Sequence, residues 1–69
     1  MRAYRNVALH RRVIVALSTG RSFRGILFEV RGPLLVLKDA ELIDGRDVIP
    51  VDGSVVIERE RVEFVQVVA

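Results

Sequence analysis

The stretch of sequence that decides the fold is Val13-Ile14-Val15-Ala16-Leu17-Ser18-Thr19-Gly20-Arg21-Ser22-Phe23-Arg24-Gly25-Ile26-Leu27. β-Branched residues dominate its first five positions, which is typical of a strand buried on at least one face. The next four residues favour a turn, because Gly20 can adopt a positive φ. A second strand follows, so we predict a β-hairpin. Gly25 lies inside this second strand and indicates a sharp bend, which is typical of a small barrel.

The remaining chain predicts three further strands. Turn residues separate them: Gly32-Pro33, Asp44-Gly45 and Asp52-Gly53. The predicted strands after the hairpin, which ends at Val30, are Leu34 to Ile43, Ser54 to Ile57 and Val62 to Val67. Asp44-Gly45 closes another hairpin. Pro50 cannot donate a ladder hydrogen bond, so the stretch after this turn is confined to an edge or a bulge.

The first residues predict a short helix from Arg2 to Leu9. Ala3 with Val7, and Tyr4 with Ala8, have the i, i+4 spacing at which side chains meet on one helix face. The fold class expected from the residues is therefore all-β, with one small helix before the strands.

The chain has 69 residues and 51% hydrophobic residues, but no cysteine and one histidine, His10. We expect a single domain over residues 1–69, with a core too small to be very stable alone. Disulfides are excluded, and a structural zinc site is not expected. Both faces of the last predicted strand are largely apolar, so we expect a homo-oligomer.

Charge is distributed unevenly along the chain. Residues 1–12 contain four arginines and no acid, whereas residues 38–69 contain eight acids and four bases. Ten of the eleven basic residues are arginine, which favours recognition of phosphate or carboxylate groups. RNA or single-stranded DNA therefore becomes a candidate partner.

The residues predict no enzyme and no cofactor or metal. Ser18, Ser22 and Ser54 have only His10 as a conceivable base, and His10 lies in a basic stretch without an orienting acid. No apolar run reaches the roughly 18 residues that a membrane span needs. We expect a cytoplasmic protein with no membrane partner.

Two patterns resemble the motifs of a known family. Val13-x-Val15-x-Leu17-x-x-Gly20-Arg21-x-Phe23-x-Gly25-x-Leu27, with Leu35-Val36-Leu37-x-x-Ala40, resembles the first motif of the Sm-like (LSm and Hfq-like) family. Val55-Val56-Ile57 through Val62-x-Phe64-Val65 resembles the second. The resemblance implies a short N-terminal helix followed by a strongly bent, five-stranded antiparallel barrel of the Sm-like or SH3-like type.

The resemblance also implies a homo-oligomeric ring of five or more subunits, in which strand four of one subunit pairs with strand five of the next. The residues expected at that subunit interface are Val55, Ile57, Phe64, Val65 and Val67.

The two loops that form the family's RNA site depart from its pattern. The first loop, Arg31-Gly32-Pro33-Leu34, is one residue short and lacks the family's acid and asparagine. In the second loop, the family's Ile-Arg-Gly is replaced by Ile57-Glu58-Arg59. Base-specific recognition of uridine is therefore not expected.

Two functions remain open from the sequence. The first is a ring that binds RNA or single-stranded nucleic acid through arginine–phosphate contacts, without strong base specificity. The resemblance places both loops at the central pore of the ring, so the candidate residues are Arg31, Arg59 and Arg61 near the pore and Arg2 and Arg5 on the rim. The second is a structural or protein-interaction ring, for example a phage assembly component. In that alternative, the run Glu58 to Arg61 forms ion pairs that close the pore.

Overall fold

A computed structural model of the chain describes residues 7–68. It contains six strands and one short 3₁₀ helix: β1 Arg12–Leu17, β2 Ser22–Arg31, β3 Leu34–Asp44, β4 Asp47–Pro50, β5 Ser54–Glu58, the 3₁₀ helix Arg59–Arg61 and β6 Val62–Val67. All pairings are antiparallel, and the order in the sheet is β4-β3-β2-β1-β6, with β5 also paired to β3. Five of these strands end within one residue of the predicted bounds.

The strand count corrects the prediction of five strands. β4 and β5 lie along the same edge of β3, where Glu41–Asp44 pairs with β4 and Leu34–Lys38 pairs with β5. Between them, the Val51 N–H donates to the Ala40 carbonyl at 2.9 Å. Pro50 and Gly53, whose φ is +76°, interrupt regular pairing here. The predicted fourth strand is therefore preceded by a separate short one.

The bend predicted at Gly25 arises from a close approach of β2 to β3. A Cβ added at Gly25 would lie 2.9 Å from the Lys38 carbonyl oxygen and 3.0 Å from the Ala40 Cα, so no larger residue fits without a shift. The β2–β3 register slips at this point, and Asp39 adopts a positive φ of +52°. One extra residue on β3 at the slip produces the local kink of a β-bulge.

One hydrophobic core fills the inside of the bent sheet. Its buried residues are Ala8, Val13, Val15, Leu27, Val30, Leu35, Leu37, Ala40 and Ile57. Val13 with Val15 and Leu35 with Leu37 have the spacing of two at which side chains point to the same face of a strand. The spacing is three between Leu27 and Val30 and between Leu37 and Ala40, because the β2–β3 register shifts within both intervals. The other face of each strand remains available to solvent or to a partner.

The predicted helix from Arg2 to Leu9 lies mostly outside the described residues. Within them, only Val7 and Ala8 have helical backbone, and the Arg11 N–H donates to the Ala8 carbonyl at 3.0 Å. Next, the His10 N–H donates to the Leu27 carbonyl at 2.7 Å, which fixes the start of β1 against β2. Across residues 7–68, no helix is long and apolar enough to cross a membrane.

Candidate nucleic-acid interface

The two loops that the sequence singled out lie side by side. The Arg59 N–H donates to the Pro33 carbonyl at 2.7 Å, and Leu34 pairs with Glu58 at the adjoining ends of β3 and β5. At the other end of the 3₁₀ helix, the Ser18 N–H donates to the Arg61 carbonyl at 2.9 Å. These backbone bonds fix the 3₁₀ helix between the β1–β2 turn and the β2–β3 turn.

A groove opens where the two loops meet. It has a volume of about 550 Å³ and is lined by Pro33, Leu34, Glu58, Arg59, Glu60 and Val62; we call it the loop groove. This volume lies within the range of about 300–1,000 Å³ that small-molecule sites occupy. One part of the lining is apolar, and the other part carries three charged side chains.

The three arginines predicted near the pore have different surroundings. The Arg31 Nε lies 2.9 Å from a Glu29 carboxylate oxygen, and the Arg61 Nε lies 3.4 Å from a Glu58 carboxylate oxygen. Both pairs are exposed and therefore weak. Arg59 forms no ion pair and no side-chain hydrogen bond with any residue from 7 to 68. Of the three, Arg59 is the one whose guanidinium has no acidic partner within residues 7–68.

β4, β5 and β6 each have one side without a strand partner among the described residues, and β4 is the shortest of the three. β5 pairs only with β3, and β6 pairs only with β1. Hydrogen-bonded and non-hydrogen-bonded pairs alternate along an antiparallel ladder. Because the Val68 N–H donates to the Arg12 carbonyl, this alternation directs the backbone groups of Val65 and Val67 away from β1. We call the two outer sides the β5 edge and the β6 edge.

The same alternation defines the β5 edge. Arg59 and Pro33 form a hydrogen-bonded pair at the end of the β3–β5 ladder. The next pair, Glu58 with Leu34, is therefore a non-hydrogen-bonded one, and the two kinds of pair alternate from there along β5. The N–H and C=O groups of Ser54, Val56 and Glu58 therefore point away from β3. The β5 edge and the β6 edge each offer several backbone donors and acceptors.

Three similar solved structures are Sm proteins. The P. aerophilum SmAP1 heptamer superposes with a TM-score of 0.86 and 30% identity, covering 100% of this chain and 93% of that chain. A heptameric archaeal Sm protein superposes with a TM-score of 0.84 and 31% identity, covering 97% of this chain and 98% of that chain. The Pyrococcus abyssii Sm protein in complex with a uridine heptamer superposes with a TM-score of 0.81 and 31% identity, covering 91% of this chain and 90% of that chain. This chain belongs to the Sm family.

No family model and no curated protein matches this Sm chain. A chain of the NatC complex bound to CoA matches with 24% identity and a TM-score of 0.78, which shows the fold alone. Among residues 7–68, no group of three or more His, Asp or Glu side chains could hold a metal ion.

In this Sm chain, the residues predicted at the subunit interface occupy both faces of the edge strands. Ile57 is 5% exposed and belongs to the core of the protomer, and Val55, Val65 and Val67 pack against that core. Phe64, by contrast, is 52% exposed on the outer face of β6. The interface role of all five stays a prediction.

Sequence reasoning missed Val56, which is 57% exposed on the outer face of β5. The signal that could have found it is the period of two. Since Ile57 packs inward, its neighbour Val56 must point outward.

A second feature missed from the sequence is an aromatic group on the outer surface of this Sm chain. Phe28 is 42% exposed, the Lys38 Nζ lies 3.6 Å from its ring centroid, and the His10 ring lies 6.3 Å away. The Phe28 ring is therefore covered in part by a cation. Arg2 and Arg5, the predicted rim residues, lie outside the described residues.

Proposed function

We propose that this Sm chain forms a closed homo-oligomeric ring that binds single-stranded RNA through arginine–phosphate contacts at the loop groove, without strong base specificity. The observation that carries the proposal is the pair of unpaired edges on β5 and β6, together with the loops beside them. Each part of the proposal is supported separately.

The ring is supported by the geometry of the two edges. Exposed strand edges are sites of uncontrolled association unless a partner covers them. If β5 of one protomer pairs with β6 of the next, both edges are covered, and Val56 and Phe64 gain an apolar environment. Because the two surfaces differ, such pairing is heterologous and closes into a ring when its rotation permits. Two of the similar Sm proteins are heptamers, which supports closure with five or more subunits.

RNA as the ligand is supported by charge at the loop groove. Arg59 is an exposed arginine without an ion pair within residues 7–68, and ring symmetry would repeat it once per protomer. Arg61 could join it, because an exposed ion pair with Glu58 costs little to break. The Pyrococcus abyssii relative in complex with a uridine heptamer supports the same class of ligand.

A structural or protein-interaction ring is the alternative. The observation that favours it is the pairing of Arg31 with Glu29 and of Arg61 with Glu58, because these acids compete with phosphate for the arginines. In that alternative the same edges assemble the ring, but the loop groove binds no RNA.

The test measures assembly and RNA binding on the same preparation. Light scattering at micromolar concentration should give a mass of five or more protomers, after nuclease treatment as well as before it. Fluorescence anisotropy should then detect binding of a short mixed-sequence RNA at low salt. The logarithm of affinity should fall linearly with the logarithm of salt concentration, by about 0.7 per neutralised phosphate.

Two variants identify the residues that carry the binding. Replacing Arg59 and Arg61 together by alanine should flatten the salt slope and weaken all RNA sequences alike, because phosphate contacts do not specify sequence. Arg46→Ala removes an arginine from the β3–β4 turn and should leave the slope unchanged. A monomer would contradict the ring. If the double variant binds as tightly as the wild type, or if neither binds, the structural ring replaces the RNA-binding one.

A further inference from the structure

We infer that Glu60 gives the loop groove a modest preference for guanine, because its carboxylate accepts hydrogen bonds from the Watson–Crick edge of that base. This inference rests on the RNA binding proposed above and names the base that the groove selects. It starts from the difference between two neighbouring acids.

Glu58 and Glu60 both line the loop groove, but only one of them has a cationic partner. The Glu58 carboxylate lies 3.4 Å from the Arg61 Nε, so part of its acceptor capacity is used. Glu60 forms no ion pair and no side-chain hydrogen bond with residues 7–68. The groove therefore contains one free carboxylate next to one free guanidinium, that of Arg59.

A free carboxylate discriminates among bases by the order of donors on their edges. An ionised carboxylate only accepts hydrogen bonds and can accept two side by side. Guanine presents two adjacent donors, N1–H and the N2 amino group. Adenine and cytosine each present one amino group beside an acceptor nitrogen, and uracil presents one N–H between two carbonyl oxygens. Guanine is thus the base that matches Glu60, and uracil is the base that its charge opposes.

The rest of the groove suits the remaining parts of a nucleotide. Pro33, Leu34 and Val62 provide apolar surface against which the flat face of a base can pack. Arg59, adjacent to Glu60 in the chain, can contact the phosphate and offset the repulsion between that phosphate and the carboxylate. The combination of acid, cation and apolar wall explains why an acid can lie at an RNA site.

The expected preference is small because the groove is open to solvent. A good bidentate contact between a side chain and a base discriminates by roughly 5-fold to more than 100-fold. Glu60 is exposed, so we expect the low end, about five- to tenfold tighter binding of guanine than of uracil at one position.

The test uses the complete ring and short RNAs that differ at one nucleotide. The probes are oligo-adenosine strands with a single central guanosine, uridine, inosine or 7-deazaguanosine, which avoids the self-association of guanine runs. Inosine lacks the N2 amino group and should lose most of the preference. 7-Deazaguanosine keeps the Watson–Crick edge and should bind like guanosine.

Two variants with the same change of charge separate Glu60 from general electrostatics. Glu60→Gln should reduce the ratio of guanosine to uridine affinity to about one, whereas both affinities rise because a negative charge is lost. Glu63→Gln removes an exposed acid of β6 outside the groove and should leave the ratio unchanged.

The outcomes distinguish this inference from the proposed function. If all four probes bind equally well to the wild type, or if the ratio survives in Glu60→Gln, the guanine preference at Glu60 is wrong while RNA binding stands. If no probe binds at low salt, the proposed function itself fails and the inference fails with it.

Discussion

Replacing Val65 by proline tests whether the β6 edge assembles the ring. The backbone N–H of Val65 points away from β1, so proline removes a donor from the free edge and leaves the β1–β6 hydrogen bonds in place. The matched control is Val65→Ala. Alanine keeps the N–H group but loses the side-chain packing against the core that proline also perturbs.

The expected weakening of the ring follows from the loss of one backbone hydrogen bond at every subunit interface. A bond of this kind contributes about 0.5–1.5 kcal/mol, and an unsatisfied carbonyl left on the neighbour can cost about 1–3 kcal/mol. The proline ring must also fit between strands that lie about 4.7–4.9 Å apart. Since about 1.4 kcal/mol is a tenfold change in an equilibrium constant, each interface should weaken by at least roughly tenfold. Every protomer carries the change, so the ring should dissociate at correspondingly higher concentration.

The assay is native mass spectrometry or sedimentation over a dilution series, with circular dichroism to confirm that both variants retain β-structure. We expect Val65→Ala to dissociate near the wild-type concentration and Val65→Pro at a concentration at least about tenfold higher. If the two variants dissociate at the same concentration, the Val65 N–H has no partner in the assembly, and pairing at the β6 edge is refuted.

Four further predictions concern the bend at Gly25 and the loop groove. Gly25→Ala should destabilise the protein by about 1–3 kcal/mol, because the new Cβ meets backbone atoms at 2.9 and 3.0 Å. Thermal unfolding at fixed protein concentration should show a lower melting temperature for this variant, and the control Ser22→Ala should melt like the wild type. In the same assay, Asp39→Gly should stabilise the protein by up to about 1 kcal/mol, since the φ of Asp39 is +52° and glycine adopts that conformation without penalty. A loss of stability would instead show that the Asp39 carboxylate has a structural role. Glu58→Gln should strengthen RNA binding, because it removes the carboxylate that competes with phosphate for Arg61. The wild-type protein should bind oligo-uridine no better than oligo-adenosine. A marked preference for uridine in fluorescence anisotropy would contradict the conclusion that the two loops lack the family's uridine pocket.

The strands were predictable because local signals and tertiary packing agree along most of the chain. From Val13 to Leu27, β-branched residues, a glycine turn and a mid-strand glycine indicate the hairpin and bend that the structure contains. The hairpin predicted at Asp44-Gly45 is confirmed, but its second arm, Asp47–Pro50, was not counted among the five strands because it has no clear alternation and ends in proline. It forms because the far half of β3 provides a ladder for it.

The candidate site was less predictable, since it depends on which side each residue faces. The sequence showed that Val55, Val56 and Ile57 are apolar but did not show which of them lie inward; the pairing with β3 decides it. Likewise, Arg59 and Arg61 look equivalent in sequence. Only the three-dimensional structure distinguishes Arg61, with Glu58 beside it, from Arg59, which has no acidic partner between residues 7 and 68.

Ring symmetry determines how a weak site can become selective. A single loop groove that prefers guanine by about fivefold contributes little discrimination alone. An RNA strand that reaches two grooves of the same ring binds the second one intramolecularly, so the two preferences multiply to roughly 25-fold, provided the strand spans the distance between protomers. RNAs with two guanines at the correct spacing should therefore be preferred over RNAs with the same two guanines adjacent. A series of strands that differ only in this spacing should show one optimum, and an affinity independent of spacing would mean that each strand engages a single groove.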